Sequence, residues 1–190
     1  MMTETLGGVR IAGTTPYPWP YDGDLGGAGT AVLVVSPAAP WPGELDESVL
    51  VAVAEVASAI EQAGGAVISL STAPPPASPE GGPPVGLPTG KHSFASAGVD
   101  GFYGSGLEAH LRANRIERLV LVGLGAETSI HSTMRTANDM GLECLYVADA
   151  CQPYDAALAP HAVSMIEMSG GIFGAVATAS AVVAAFTGRT

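Results

Sequence analysis

The chain has 190 residues, of which 47% are hydrophobic and only 13% charged, with 18 acidic against 7 basic side chains and a net charge of −11. That acidic surplus, with no Lys/Arg cluster, excludes nucleic acid and anionic membrane surfaces as partners, because both need a basic footprint. Two cysteines make no disulfide framework, and no stretch reads as a secretory signal or a membrane span. A single cytoplasmic domain over residues 1–190 is therefore expected. So little charge on so apolar a chain also points to a homo-oligomer, a dimer or a tetramer.

Taken in order, residues 1–29 form a Pro-rich arm whose centre is Pro16-Tyr17-Pro18-Trp19-Pro20-Tyr21-Asp22-Gly23-Asp24-Leu25. Alternate prolines forbid a helix and favour an extended chain, strapped over the domain by its rings. Thr30 to Val35 reads as a buried strand, and a helix from Leu45 to Ala63 opens on acidic residues and stops at Gly64-Gly65. Ala66 to Leu70 is a second strand. Ser71 to Gly90 is too rich in Pro, Gly and Ser for regular structure, and Phe94 to Gly106 continues irregular. A short helix, Leu107 to Arg115, leads to the strand Leu119 to Val122. After that come a helix from Ser129 to Met140 closed by Gly141, a strand Glu143 to Val147, a helix Pro160 to Met168, a short strand within 170–176 and a last helix Ala179 to Phe186.

Strands alternating with helices imply right-handed crossovers, hence a three-layer α/β/α sandwich around a mostly parallel sheet. In such a fold a strand, a tight Gly turn and a helix start converge at the carboxyl edge of the sheet, where free N–H groups collect. Leu119 to Thr133 is that arrangement, and Ser129 stands at its turn. Two roles are open to Ser129. It is a nucleophile if His131, His92 or Glu127 approaches it as a base, or a helix-capping serine. Lys91 and His92 lie in a stretch expected to reach the pocket mouth, His92 as an acid/base or as part of a solvated pair. Trp41, Phe94, Phe102, Tyr103 and Thr128 are the candidate substrate contacts. For the four aromatics, ordinary core or subunit packing is the other reading. The four histidines have no ligand spacing and the glycines form no phosphate loop, so neither a metal nor a cofactor is expected.

His131-Ser132-Thr133-Met134-Arg135, Ala137-Asn138-Asp139, Gly141-Leu142-Glu143-Cys144-Leu145 and Met168-Ser169-Gly170-Gly171-Ile172-Phe173-Gly174-Ala175-Val176 carry a resemblance to the isochorismatase-like, or cysteine hydrolase, superfamily. With the Pro-Tyr-Pro-Trp-Pro-Tyr arm and Gly90-Lys91-His92-Ser93-Phe94, the chain is most similar to the ureidoacrylate amidohydrolase and biuret hydrolase branch. The resemblance implies one isochorismatase-like domain and a Cys-Asp-Lys triad. The nucleophile's position falls on Ser129, the aspartate's on Ser36 and the lysine's near Leu87 or Pro88. Lys91 matches a second, non-catalytic lysine. Glu127 replaces an aspartate and is expected to hold backbone N–H groups. His131 matches a residue of the branch and is expected to pack the helix. A serine hydroxyl is far less acidic than a thiol, so the usual thiolate route is closed. Three functions remain open. One is an enzyme of specialised-metabolite biosynthesis acting on a small molecule by cyclisation, isomerisation, elimination or non-covalent hydrolysis. The others are a non-catalytic ligand-binding or structural relative, and a serine-dependent amidohydrolase using Ser129.

Overall fold

Ala-Val-Leu-Val-Val (31–35) and Leu-Val-Leu-Val (119–122) are apolar at every position, which suits strands buried on both faces, and they lie in the two middle strands of the sheet. The computed structural model describes residues 8–42, 44–73 and 86–188. Within them the strands are β1 (Thr30–Pro37), β2 (Ala66–Thr72), β3 (His92–Ala95), β4 (Arg118–Leu124), β5 (Glu143–Gln152) and β6 (Ala175–Ala177). The helices are α1 (Glu47–Gln62), α2 (Leu107–Ala113), α3 (His131–Asp139), α4 (Ala159–Glu167) and α5 (Ala179–Thr187). All strand pairs are parallel, in the order β3-β2-β1-β4-β5-β6. The layered α/β fold is as expected.

Alternation sorts the side chains between the two faces. Val32, Val34, Val120, Val122, Leu145 and Val147 meet α1 and α5, while Leu33, Val35, Leu70, Leu119 and Leu121 meet α2, α3 and α4. Each such side chain contributes about 1.5–3 kcal/mol by leaving water. Helix α1 starts where Asp46 accepts the Ser48 N–H at 2.9 Å and ends before Gly64, whose φ of +88° turns the chain back.

Of the boundaries that differ from the sequence reading, three bear on the sheet's edges. His92–Ala95 is an edge strand, not irregular chain, because its backbone finds partners along Ile68–Ser71. Strand β2 runs on to Thr72, and β5 runs on to Gln152 through a register shift opposite Leu121 and Gly123. Of the stretch read as irregular, residues 74–85 lie outside the described residues.

Residues 8–29 lie against the domain, with one ring, Trp19, fully buried. Trp19, Ile11 and Leu25 are buried in the α1/α5 face, and Thr15 exchanges two backbone bonds with Val176 at 3.2 and 2.7 Å. Arg118, buried at the start of β4, reaches Asp22 at 3.6 Å and Asp24 at 3.9 Å. Among the described residues no helix is long and apolar enough to cross a membrane.

Candidate functional site

Gly123 (φ +120°) and Gly125 (φ +80°) bring β4 to an end beside the end of β1 and turn the chain into a helix. That helix opens as one wide turn, Ala126–Ile130, with the Ile130 N–H reaching back to the Gly125 carbonyl at 3.0 Å. Single wide turns of this kind inside helices recur at functional sites. Ser129 sits within the turn, fully buried, and its Oγ lies 2.7 Å from Thr72 Oγ1 at the end of β2. Thr72 Oγ1 in turn donates to the Ser36 carbonyl at 3.4 Å. Ser129 is therefore no N-cap, as one of the two sequence readings had it, since the cap position belongs to Gly125 and no side chain caps the turn. The carboxyl edge of the sheet gathers Ser36, Thr72 and Ser129 into one chain of neutral groups.

None of the three expected bases serves Ser129. Glu127 accepts the N–H groups of Tyr154 (2.8 Å) and Asp155 (3.1 Å), the loop-holding role its position suggested. His131 is buried at the start of α3, with Nε2 at 3.3 Å from the Ala162 carbonyl and Nδ1 receiving Arg135 Nε at 3.3 Å. Those contacts hold the imidazole neutral. Burial first, and the Arg135 charge second, pull its pKa below the ordinary histidine value. The unfolded chain takes up a proton near the ordinary pKa, about 6.5, while the folded chain resists it. His131's contribution to stability is thus complete above that pH and shrinks as pH falls below it. In His131→Gln, urea unfolding should show a smaller loss of stability between about pH 8 and about pH 5 than in the unsubstituted protein.

Lys91 and His92 are corrections. His92 pairs level with Ile68 at the first position of β3, three residues short of the level of Ser71 and Ser36, or about 10 Å along the strand. Its ring faces His110 at 4.3 Å, and exposed Lys91 pairs with Glu61 at 3.3 Å. The extended backbone of β3 carries both away from the carboxyl edge. Among the aromatics, Phe94 packs on His110 (5.1 Å) and also lines the cavity that holds Ser36, while Phe102 is buried against α2 and Tyr103 is exposed. Trp41 does reach this end of the sheet. It stacks on Tyr154 at 4.5 Å and walls a cavity of about 270 Å³ with Gln152, the last residue of β5. Thr128 Oγ1 is turned to the Gly125 carbonyl at 3.3 Å, inside the turn.

Thr72 and Ser96 went unread in the sequence. Thr72 continues the buried alternation Ile68, Leu70, Thr72, a period-two signal that the following prolines masked. Ser96, buried just past β3, bonds the Gly98 carbonyl at 2.8 Å. Beside these, Ser36, Ser71, Ser93 and Thr89 line a cavity of about 230 Å³ with Leu87 and Pro88. Among the described residues its lining carries no ionisable side chain.

Both thiols are turned to backbone carbonyls, although Cys151 pairs level with Gly123 and is among the residues lining the Trp41 cavity. Cys144 Sγ points to the Met134 carbonyl at 3.8 Å and Cys151 Sγ to the Leu121 carbonyl at 3.5 Å. Both are buried, which raises their pKa far above the ordinary thiol range. An aromatic disulfide reagent should therefore titrate neither thiol in the folded protein and both in denaturant. Rapid reaction of one thiol in the native state would contradict the burial described.

Among solved structures, the chain is similar to an isochorismatase family protein from Burkholderia thailandensis (21% identity over 84% of this chain and 96% of that one, TM-score 0.66). It is also similar to a cysteine hydrolase from Pseudomonas syringae pv. phaseolicola (16%, 87% and 96%, 0.72) and to an N-carbamoylsarcosine amidase from Thermoplasma acidophilum (20%, 79% and 96%, 0.62). At these identities the likeness is one of fold. The model of the isochorismatase domain family matches residues 32–181, from the second residue of the first strand's apolar run into the last helix. With that match over most of its length, the chain belongs to the isochorismatase family.

Proposed function

We propose that this chain is a non-thiol enzyme of its family, taking a small organic molecule at the carboxyl edge of the sheet. It acts there by positioning and proton transfer, without a covalent intermediate on sulfur. One observation carries the reading: Ser129, at the place where the family resemblance puts the nucleophile, has the neutral Thr72 hydroxyl as its partner at 2.7 Å. A hydroxyl so placed is not ionised by a helix terminus alone, whose influence is worth about 1 kcal/mol against a pKa gap several units wide. Ser36, where the resemblance puts an aspartate, adds another hydroxyl and no base. The Thr128 and Ile130 N–H groups are taken by the Gly125 carbonyl, so those of Ala126 and Glu127, which open the turn, are the ones that would bind a carbonyl oxygen or stabilise developing negative charge. Cyclisation, isomerisation, elimination and direct hydrolysis all use that equipment, and all suit a step in making a specialised metabolite. The amidase among the similar folds, and the hydroxyl-lined cavity beside Ser36, support a small and polar ligand.

A second reading, a ligand-binding relative without catalysis, is favoured by the complete burial of Ser129. Self-association belongs to either reading, and the exposed Met168 and Ile172 support it. To test the proposal, the protein is incubated with ureidoacrylate-, biuret- and isochorismate-type compounds before and after thiol alkylation, and release of ammonia, acid or pyruvate is measured. The expected result is turnover that alkylation leaves unchanged and that Ser129→Ala reduces by no more than about tenfold, the scale of one lost neutral hydrogen bond. Turnover abolished by Ser129→Ala would establish serine nucleophilic catalysis instead. Binding without turnover would select the second reading.

A further inference from the structure

On the amino edge of the sheet, opposite the site just described, the arm builds a second concavity. Tyr17, Tyr21, Glu143, Gly170 and Gly171 line an open cavity of about 310 Å³. The two tyrosine rings stand edge to face with centroids 6.3 Å apart. Glu143, the first residue of β5, forms the polar wall. One of its oxygens accepts the Tyr21 N–H at 2.7 Å, and the carboxylate is half withdrawn from water. Gly171 lets the backbone lie against the Tyr17 ring: a Cβ there would stand 3.0 Å from Cδ1, and the φ of +100° is one that only glycine adopts freely.

We infer that this cavity binds a small organic cation of the quaternary ammonium class, held over the tyrosine faces and beside the Glu143 carboxylate. Aromatic faces carry negative quadrupole potential, and a cation too large and apolar to hold tight hydration gains most from them. A carboxylate partly stripped of water gains from a neighbouring positive charge. Glu143 makes no ion pair within 4.0 Å among the described residues. The nearest cations have other acceptors, although the Arg118 charge also acts on Glu143. Arg118 pairs with Asp22 and Asp24, and Arg10 donates to the Pro20 and Tyr21 carbonyls at 3.2 and 3.0 Å. Glu167 lies on the same side, accepting Thr15 Oγ1 at 2.7 Å. Four carboxylates thus surround the arm against two guanidiniums, so the local field selects a cation and rejects an anion. Tyr17 and Glu143 are half-buried, whereas the Tyr21 side chain is exposed.

The test uses choline and its uncharged carbon isostere, dimethylbutanol, titrated into the full chain and followed by ligand-observed NMR. Choline should bind saturably and the isostere at least about tenfold more weakly, the span of a partly desolvated cation–π contact. Tyr21→Leu, a change at an exposed side chain, should weaken choline by about fivefold or more with unchanged thermal unfolding, and Glu143→Gln should do the same. Equal binding of the two probes would show a merely apolar groove and overturn the inference. So would the absence of choline binding, or choline binding that both variants leave unchanged. Should Glu143→Gln disturb folding, Tyr21→Leu decides alone.

Discussion

Replacing Trp19 by alanine should cost about 3–5 kcal/mol of unfolding free energy, measured by urea denaturation, the range for truncating a large buried aromatic. Trp19 belongs to the arm yet is fully buried in the α1/α5 face of the core, and its loss leaves a cavity that α5 and the sheet, themselves close-packed, cannot fill. The arm's other ties are modest by comparison. The Thr15–Val176 bonds and the Ile11 N–H to the Trp19 carbonyl (2.8 Å) contribute about 1 kcal/mol each. Among the described residues, Trp19 Nε1 is a buried donor without a partner. Trp19→Phe keeps most of the apolar volume and removes that donor, so it should cost less than half as much as the alanine change. Equal costs for the two variants would mean that the indole nitrogen has a partner and that burial of the ring is not what holds the arm.

Gly123→Ala should destabilise by more than about 3 kcal/mol, or prevent soluble expression. A Cβ at this position would collide with the Val35 carbonyl oxygen and stand 2.9 Å from the Val35 nitrogen, inside the β1–β4 pairing. Backbone paired on both sides has nowhere to move, and the φ of +120° is strained for any residue with a side chain. Gly64→Ala and Gly141→Ala are the controls: both positions have positive φ but nothing within 4 Å of the added carbon. They should cost only the conformational penalty, about 1–2 kcal/mol. Similar losses at all three positions would refute the steric account. The consequence reaches the site, because Gly123 sets where β4 ends and hence where the turn carrying Ser129 meets Thr72.

The apolar runs at Thr30 to Val35 and Leu119 to Val122 were legible because strands buried on both faces need a side chain that tolerates burial at every position. Helix α1 was legible from its acidic start and glycine stop and α3 from the stop at Gly141, and the turn at Gly123 and Gly125 located Ser129 at the carboxyl edge. Strand β3 was not legible, because four residues with an exposed His, Ser and Ala carry no burial pattern and are strand only through their pairing with β2. Lys91 and His92 were misplaced for the same reason: once their segment is paired, its rise per residue carries them away from Ser129. Thr72 escaped because it borders a Pro-rich stretch, although its burial continues the alternation of β2.

The order of residues by itself thus determined the layered parallel fold, the strapped arm and the crossing point where Ser129 lies, since periodicity, proline and glycine act through local geometry. Which groups touch there was decided only by tertiary structure. The hydroxyl of Thr72, 57 positions away in sequence, takes the place at Ser129 that a base would need, while Glu127 and His131, its near neighbours, turn to other partners. Parallel strands bring distant ends together and send adjacent side chains to opposite faces, so closeness along the chain carries no information about closeness in the site.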